Sequence, residues 1–137
     1  MQTIRFIERL ESLPIDPSRM VVIGSGFLDA LGYRKAEDVD LVVDPETFDA
    51  LSNLPGWQIE TIHDEEVVKH DDVEVWLSWG SEGVPNFEEL YNQSIQIEGY
   101  HFANPNYVIA QKRRSNRPKD VSDIAFLQEY LTTSERQ

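Results

Sequence analysis

Two aspartates separated by one residue, Asp38 and Asp40, have the residue type and spacing needed to bind a cation. They open the segment DVDLVVD (38–44), whose apolar residues predict a strand. Alternate side chains of a strand share a face, so the two carboxylates face the same way, with backbones roughly 6–7 Å apart. Such a pair is suited to one or two divalent cations, Mg²⁺ or Mn²⁺. The alternative is a half-exposed strand whose polar face is acidic.

A glycine-containing turn lies upstream of the aspartates. The apolar run MVVI (20–23) predicts a strand, Gly24-Ser25-Gly26 breaks it, and a short helix ending at Gly32 follows. Such a turn offers backbone N–H groups to a phosphate. The alternative is a dinucleotide-binding G-x-G turn, for which Asp44 stands at a suitable distance. Because Asp29 occupies the place of a third Gly or Ala, and the helix is short for a parallel crossover, we favour the phosphate turn.

Length and composition predict a globular protein. The chain has 137 residues, 40% of them hydrophobic, and no cysteine. This length suits a single domain over residues 1–137 with a core of its own. The absence of cysteine excludes disulfides and thiolate metal sites. No apolar run approaches a membrane span, and the first residues lack the apolar centre of a signal peptide, so we expect a cytoplasmic protein without membrane contact.

The charge is strongly negative and unevenly distributed. A net charge of −13, from 25 acidic and 12 basic residues, argues against a broad nucleic-acid-binding surface, because phosphate affinity comes from Lys and Arg. Five of the twelve bases fall in one window, where a local contact with a polyanion is expected. The alternative is a solvated loop whose charges favour the end of the preceding helix. The five residues are Lys112, Arg113, Arg114, Arg117 and Lys119.

The remaining pattern predicts helices and strands in mixed order. We expect helices over 3–13, from Asp44-Pro45, over 86–91, from Asn104-Pro105 and from Pro118. We expect further strands over 57–62, 66–70 and 73–79, and a hairpin over 95–102 that turns near Gly99. This order is typical of the α+β class: a mixed α/β sheet flanked by helices, with a helical segment at the C-terminus.

The turn and the aspartate strand together resemble the nucleotidyltransferase signature, a Gly-Ser turn followed by D-x-D. The run Gly32-Tyr33-Arg34 followed by DVDLVV resembles the G-x-R…DIDLVV run of small nucleotidyltransferase-like proteins, including those related to the AbiEii toxins. Residues 107–127, YVIAQKRRSNRPKDVSDIAFL, resemble the closing segment of the same group, in which a lysine-containing helix leads into an R-P-K-D-x-x-D-I helix. The resemblance covers most of the chain and implies a nucleotidyltransferase-like fold.

The resemblance also implies an activity. In such enzymes, carboxylate-bound Mg²⁺ bridges the phosphates of an NTP, and a nucleoside monophosphate passes to an acceptor hydroxyl. Asp38 and Asp40 would then be catalytic metal ligands. The residues that the resemblance assigns to nucleotide binding are Gly24, Ser25, Arg34 and Lys112. The acceptor stays open among a tRNA end, a protein hydroxyl and a small molecule, and the preferred NTP stays open too.

A third carboxylate is expected on a neighbouring strand, as a metal ligand or as the base for the acceptor hydroxyl. In the strand VEVWL (73–77), the apolar rhythm aligns the family's aspartate with Trp76. Glu74 lies two residues earlier on the same face, and we predict it to be the third catalytic and metal-binding residue. If it does not reach the site, the chain is a catalytically weak or inactive binding module with a protein partner, in a toxin–antitoxin-like or defence system.

Overall fold

The computed structural model describes residues 5–80, 85–115 and 117–135. The chain divides into two compact units, Met1–Ala103 and Asn104–Gln137. The first contains a seven-stranded mixed sheet with helices, and the second contains two helices. The expected α+β class, a mixed sheet with flanking helices and a C-terminal helical segment, is confirmed. The assignment of residues 1–137 to a single domain stays a prediction.

Four α-helices, seven strands and a short 3-10 helix (Pro17–Arg19) lie in the described part of the first unit. The α-helices and strands are named here in chain order. They are α1 (Phe6–Glu11), β1 (Met20–Ile23), α2 (Gly26–Ala30), β2 (Val39–Val43), α3 (Pro45–Ser52), β3 (Gln58–Ile62), β4 (Glu65–His70), β5 (Val73–Trp76), α4 (Phe87–Asn92), β6 (Ile95–Ile97) and β7 (Tyr100–Phe102). The strand order is β3-β4-β5-β2-β1-β7-β6. The pairs β2–β5 and β1–β7 are parallel, and the other pairs are antiparallel.

The antiparallel pairing of β1 with β2 decides one of the alternatives. A dinucleotide-binding turn joins its first strand, through a helix, to a parallel strand. Here the chain turns back after α2, and Ile23 pairs with Asp40 in antiparallel register. The alternative of a dinucleotide-binding turn at Gly24 is therefore wrong.

Local signals set most element starts, while two boundaries differ from expectation. Proline opens α3 at Pro45, and the side chain of Asn86 accepts a hydrogen bond from Glu89 N at the start of α4. α1 is shorter than the predicted helix over 3–13, of which residues 3 and 4 lie outside the described part. β5 ends at Trp76 rather than at residue 79, although Ser78 still forms an isolated bridge.

Helices α1 and α2 cover the sheet face opposite Asp40. The rings of Phe6 and Phe27 each lie 6.1 Å from the ring of Phe102, which pairs with Val22 on β1. A Cβ added at Gly26 would lie 2.5 Å from side-chain atoms of Phe6 and of Val22, so α2 packs closely here. Because Val22 and its neighbour Ile23 point to opposite faces, the face that carries Asp40 is the other one.

The second unit is a pair of helices, α5 (Pro105–Ser115) and α6 (Pro118–Glu135). Each begins with the proline that the sequence predicts, and Asn104 accepts a hydrogen bond from Asn106 N before α5. Within the described part of the chain, no helix combines the length and the apolar character that a membrane crossing requires.

Candidate functional site

The structure places Asp40 and Glu74 side by side on neighbouring parallel strands. Asp40 of β2 pairs in register with Glu74 of β5, and both side chains are half-buried. Glu74 interacts with Asp40, and this interaction raises the pKa of Asp40. Two of the three predicted carboxylates therefore converge at one point of the sheet.

The surroundings of Asp40 favour its protonated form. Burial raises the pKa of Asp40 to about 7, and the hydrogen bond to Glu74 and the charges of Glu74 and Asp38 act in the same direction. A hydrogen bond from Trp76 acts in the opposite direction. A pKa raised this far means that Asp40 is partly protonated near neutral pH. A divalent cation would replace that proton, and carboxylate oxygens are ligands that Mg²⁺ prefers.

Asp38 lies just before β2, and its side chain is exposed. Its charge acts on Asp40, but it does not complete a group of ligands with the other two carboxylates. Across residues 5–80, 85–115 and 117–135, no three His, Asp or Glu side chains are arranged so that they could hold a metal ion. A cation bound by Asp38, Asp40 and Glu74 together stays a prediction.

Gly24 brings the turn against the carboxylate pair. Its φ is +69°, a backbone conformation that residues other than glycine rarely adopt. A Cβ at this position would lie 3.1 Å from Oδ2 of Asp40. Both the backbone conformation and the close approach therefore favour glycine at the place where the turn meets β2.

Ser25 and Arg34 contact each other beside this turn. Nη2 of Arg34 donates a hydrogen bond of 2.8 Å to Oγ of Ser25, whose side chain does not cap α2. Gly24 lies against Asp40, Ser25 follows it in the chain, and the positively charged Arg34 binds Ser25.

Lys112 lies in the second unit, in a buried cluster of ion pairs. Its Nζ atom is 3.0 Å from Oδ2 of Asp123 and 3.6 Å from Oδ1 of Asp120, and these three side chains are at most 4% exposed. Arg117 donates to Asp120 from its backbone N and from Nε. Burial raises the pKa of Asp120, but the hydrogen bonds and charge of Arg117 and the charge of Lys112 outweigh it and hold that pKa below its usual value. A phosphate contact of Lys112 stays a prediction.

Lys69 is a neighbour of the site that was not predicted from the sequence. Its Nζ atom lies 3.6 Å from Oε1 of Glu74 and 3.6 Å from Oε2 of Glu60. The signal was present in the sequence, because a turn at residues 71–72 pairs residue 70 with residue 73 and therefore Lys69 with Glu74. The sequence aligns Trp76 with the family's aspartate, and in the structure its side chain interacts with Asp40.

Comparisons of the chain with protein-family models, with curated proteins and with solved structures give no match. The relation to nucleotidyltransferase-like proteins therefore depends on the sequence motifs described above and stays a hypothesis.

Proposed function

We propose that this chain is a nucleotidyltransferase-like enzyme that moves a nucleoside monophosphate from an NTP to an acceptor hydroxyl with the help of Mg²⁺ or Mn²⁺. The observation that supports the proposal is the pairing of Asp40 with Glu74, with Gly24 packed against Asp40. The turn, the aspartate strand and the third carboxylate of the motif thereby fall within one small region of the first unit.

Each residue of this region has a role in the proposed reaction. A bound cation would offset the negative charge that develops on the phosphate oxygens. Asp38, Asp40 and Glu74 would hold the cation, and Glu74 would alternatively accept the proton of the acceptor hydroxyl. Backbone N–H groups at Gly24 and Ser25 would bind phosphate, and the guanidinium group of Arg34, already beside Ser25, would add a charge-assisted hydrogen bond.

A thermal-shift panel tests nucleotide binding. Wild type and the double variant Asp38→Asn/Asp40→Asn are melted with each of the four NTPs and with Mg²⁺ or Mn²⁺. A ligand at 100 times its Kd stabilises the folded state by about 2.7 kcal/mol. We expect a metal-dependent rise in Tm with at least one NTP in wild type, and none in the variant. The control is Asp49→Asn, which removes an exposed aspartate on α3.

Transfer itself is measured with an NTP labelled at the α-phosphate and offered tRNA, protein and small-molecule acceptors. Asp40→Asn should abolish incorporation of label while the circular dichroism spectrum stays that of wild type. Undiminished transfer in Asp40→Asn, or no Tm shift with any nucleotide, would overturn the proposal.

A second candidate function, a non-catalytic binding module with a protein partner, is favoured by Trp76. This residue occupies the position that the motif aligns with an aspartate, and it contacts Asp40. If the chain is a decayed enzyme, Trp76→Asp should gain transfer, whereas Trp76→Phe should not. Nucleotide-induced Tm shifts with no transfer in wild type would favour the binding module.

A further inference from the structure

The guanidinium group of Arg9, on α1, donates hydrogen bonds to three residues that lie outside this helix. Its side chain is only 15% exposed. Nη1 donates a 2.8 Å hydrogen bond to the carbonyl of Ala36, and Nη2 donates to the carbonyl of Glu37 at 3.1 Å and to Oδ2 of Asp72 at 2.7 Å. One guanidinium group therefore joins two segments that are far apart in the sequence.

These two segments lead directly into the strands that carry the carboxylates. Residues 36 and 37 precede Asp38, and Asp72 lies two residues before Glu74. The backbone N of Val39 donates a 2.9 Å hydrogen bond to the carbonyl of Asp72, at the start of the β2–β5 pairing. Arg9 thus acts where the register of the two strands is set. A slip of one residue in that register would move Glu74 to the opposite face from Asp40.

Asp29 of α2 extends the same network. Its Oδ2 accepts a 2.8 Å hydrogen bond from the backbone N of Ala36 and lies 3.9 Å from Nη1 of Arg9. The planar guanidinium group has five donors in a fixed fork, which suits simultaneous contacts with two carbonyls and a carboxylate. A lysine ammonium cannot reproduce this planar arrangement.

We propose that Arg9 is a positioning residue of the carboxylate site. Its guanidinium group fixes the starts of β2 and β5 relative to each other and so holds Asp38 and Asp40 in register with Glu74. The consequence for metal binding rests on the function proposed above, whereas the consequence for strand pairing does not.

The structure offers a route for chemical rescue. Arg9 lines a cavity of about 1070 Å³ that is open to solvent and is also bounded by Leu13, Lys35, Trp57 and Val73. In Arg9→Ala, a small guanidinium compound can enter from this cavity and occupy the vacated position. Ethylguanidinium is the probe, and ethylammonium, which has the charge without the planar fork, is its control.

The experiment compares wild type with Arg9→Ala, Arg9→Lys and the control Arg5→Ala. Arg5 is exposed near the start of α1 and pairs with Glu98. Amide hydrogen exchange is measured at residues 39–41 and 73–75, with β1 and β7 as internal references. We expect exchange in both Arg9 variants to rise about tenfold at β2 and β5 only, and millimolar ethylguanidinium to restore protection in Arg9→Ala. Mn²⁺ affinity, measured by electron paramagnetic resonance, should fall about tenfold in the Arg9 variants.

The outcomes separate this proposal from the proposed function. Wild type that binds no Mn²⁺ would refute the metal-dependent function, while exchange and rescue would still decide the role of Arg9. Unchanged exchange in both Arg9 variants, or exchange that rises equally in β1 and β7, would overturn the positioning role. Local loss of protection with undiminished Mn²⁺ affinity would overturn the connection to the carboxylate site. Because Arg9→Lys keeps the charge and most of the side chain, the test does not depend on the folding of Arg9→Ala.

Discussion

A carboxylic acid that keeps its proton near neutral pH is held in that state by its surroundings, and Asp40 is such a group. Burial, the neighbouring Glu74 and the charge of Asp38 all favour the neutral form. Lys69 places a positive charge 3.6 Å from Oε1 of Glu74. A site of this kind exchanges a proton for a metal ion, so its stability and its metal affinity both depend on pH.

We expect the stability of the metal-free protein to fall as the pH rises from about 4 to about 7. The pKa of Asp40 is about 7 in the folded state and has an ordinary value of 3.8. Between these values the folded state binds more protons than the unfolded state. The stabilising contribution is therefore complete below the ordinary value and is lost as the pH rises through the folded one. Each unit of pKa difference corresponds to about 1.4 kcal/mol.

Urea unfolding in EDTA at a series of pH values measures this effect. In Asp40→Asn the decline over this pH range should be smaller than in wild type, because the group that titrates has been removed. Asp49→Asn, which changes an exposed aspartate, should keep the decline of wild type. Equal slopes in wild type and Asp40→Asn would contradict the raised pKa.

At the scale of elements, the sequence predicts what is decided locally. Pro45, Asn86, Pro105 and Pro118 stand at the starts of helices because capping and a fixed φ act within one turn of the chain. Asp44 is a partial exception, because its carboxylate binds Arg19 and does not cap α3. The same local rule, alternation along a strand, predicted that Glu74 would share a face with Trp76, two residues further along β5.

Contacts between distant segments were beyond local reasoning. The order of the strands and the parallel pairing of β1 with β7 depend on segments that are distant in the sequence. The contacts of Arg9 with Ala36 and Asp72 likewise span 27 and 63 residues. No pattern within one segment specifies which other segment it meets. The match of Asp40 with Glu74 is therefore a finding of the structure, although each residue was identified as a candidate from the sequence.

The ion pairs between α5 and α6 show how buried charges hold two helices together. Two cations, Lys112 and Arg117, meet two carboxylates, Asp120 and Asp123. Lys112, Asp120 and Asp123 are buried, whereas Arg117 is half-exposed. Buried ion pairs contribute little net stability compared with apolar residues, but loss of one buried partner leaves an uncompensated charge. The cluster therefore makes the pairing of these helices specific.

Lys112→Met should destabilise the protein by about 3–5 kcal/mol, because it leaves Asp123 buried without the ammonium group that lies 3.0 Å from its Oδ2 atom. The double variant Lys112→Met/Asp123→Leu should recover much of that loss, since both buried charges are then absent. Arg113→Met, at an exposed position of α5, is the control. The free energy of unfolding of all four proteins is measured by urea denaturation, followed by the circular dichroism signal of the helices. If Lys112 acts on phosphate alone, Lys112→Met will keep its stability and lose only nucleotide affinity.

At the scale of the whole molecule, the excess of acidic residues affects every experiment with metal ions. A net charge of −13 on 137 residues destabilises the folded state through self-repulsion, and any cation relieves it by screening. Stabilisation by Mg²⁺ therefore has two sources, diffuse screening and occupation of the carboxylate site. The two differ in their salt dependence, because a partly buried site is screened much less than surface charges are.

This difference gives a last prediction about Asp38 and Asp40. Raising NaCl from about 0.05 M to about 0.5 M should increase Tm by similar amounts in wild type and in Asp38→Asn/Asp40→Asn, because screening acts on the whole charge. At the higher salt concentration, millimolar Mg²⁺ should stabilise wild type but not Asp38→Asn/Asp40→Asn. The matched control is Asp49→Asn/Glu129→Gln, which replaces two exposed acidic residues and should still respond to Mg²⁺. Equal Mg²⁺ responses in all three proteins at high salt would mean that the carboxylate pair binds no cation and that the stabilisation is diffuse.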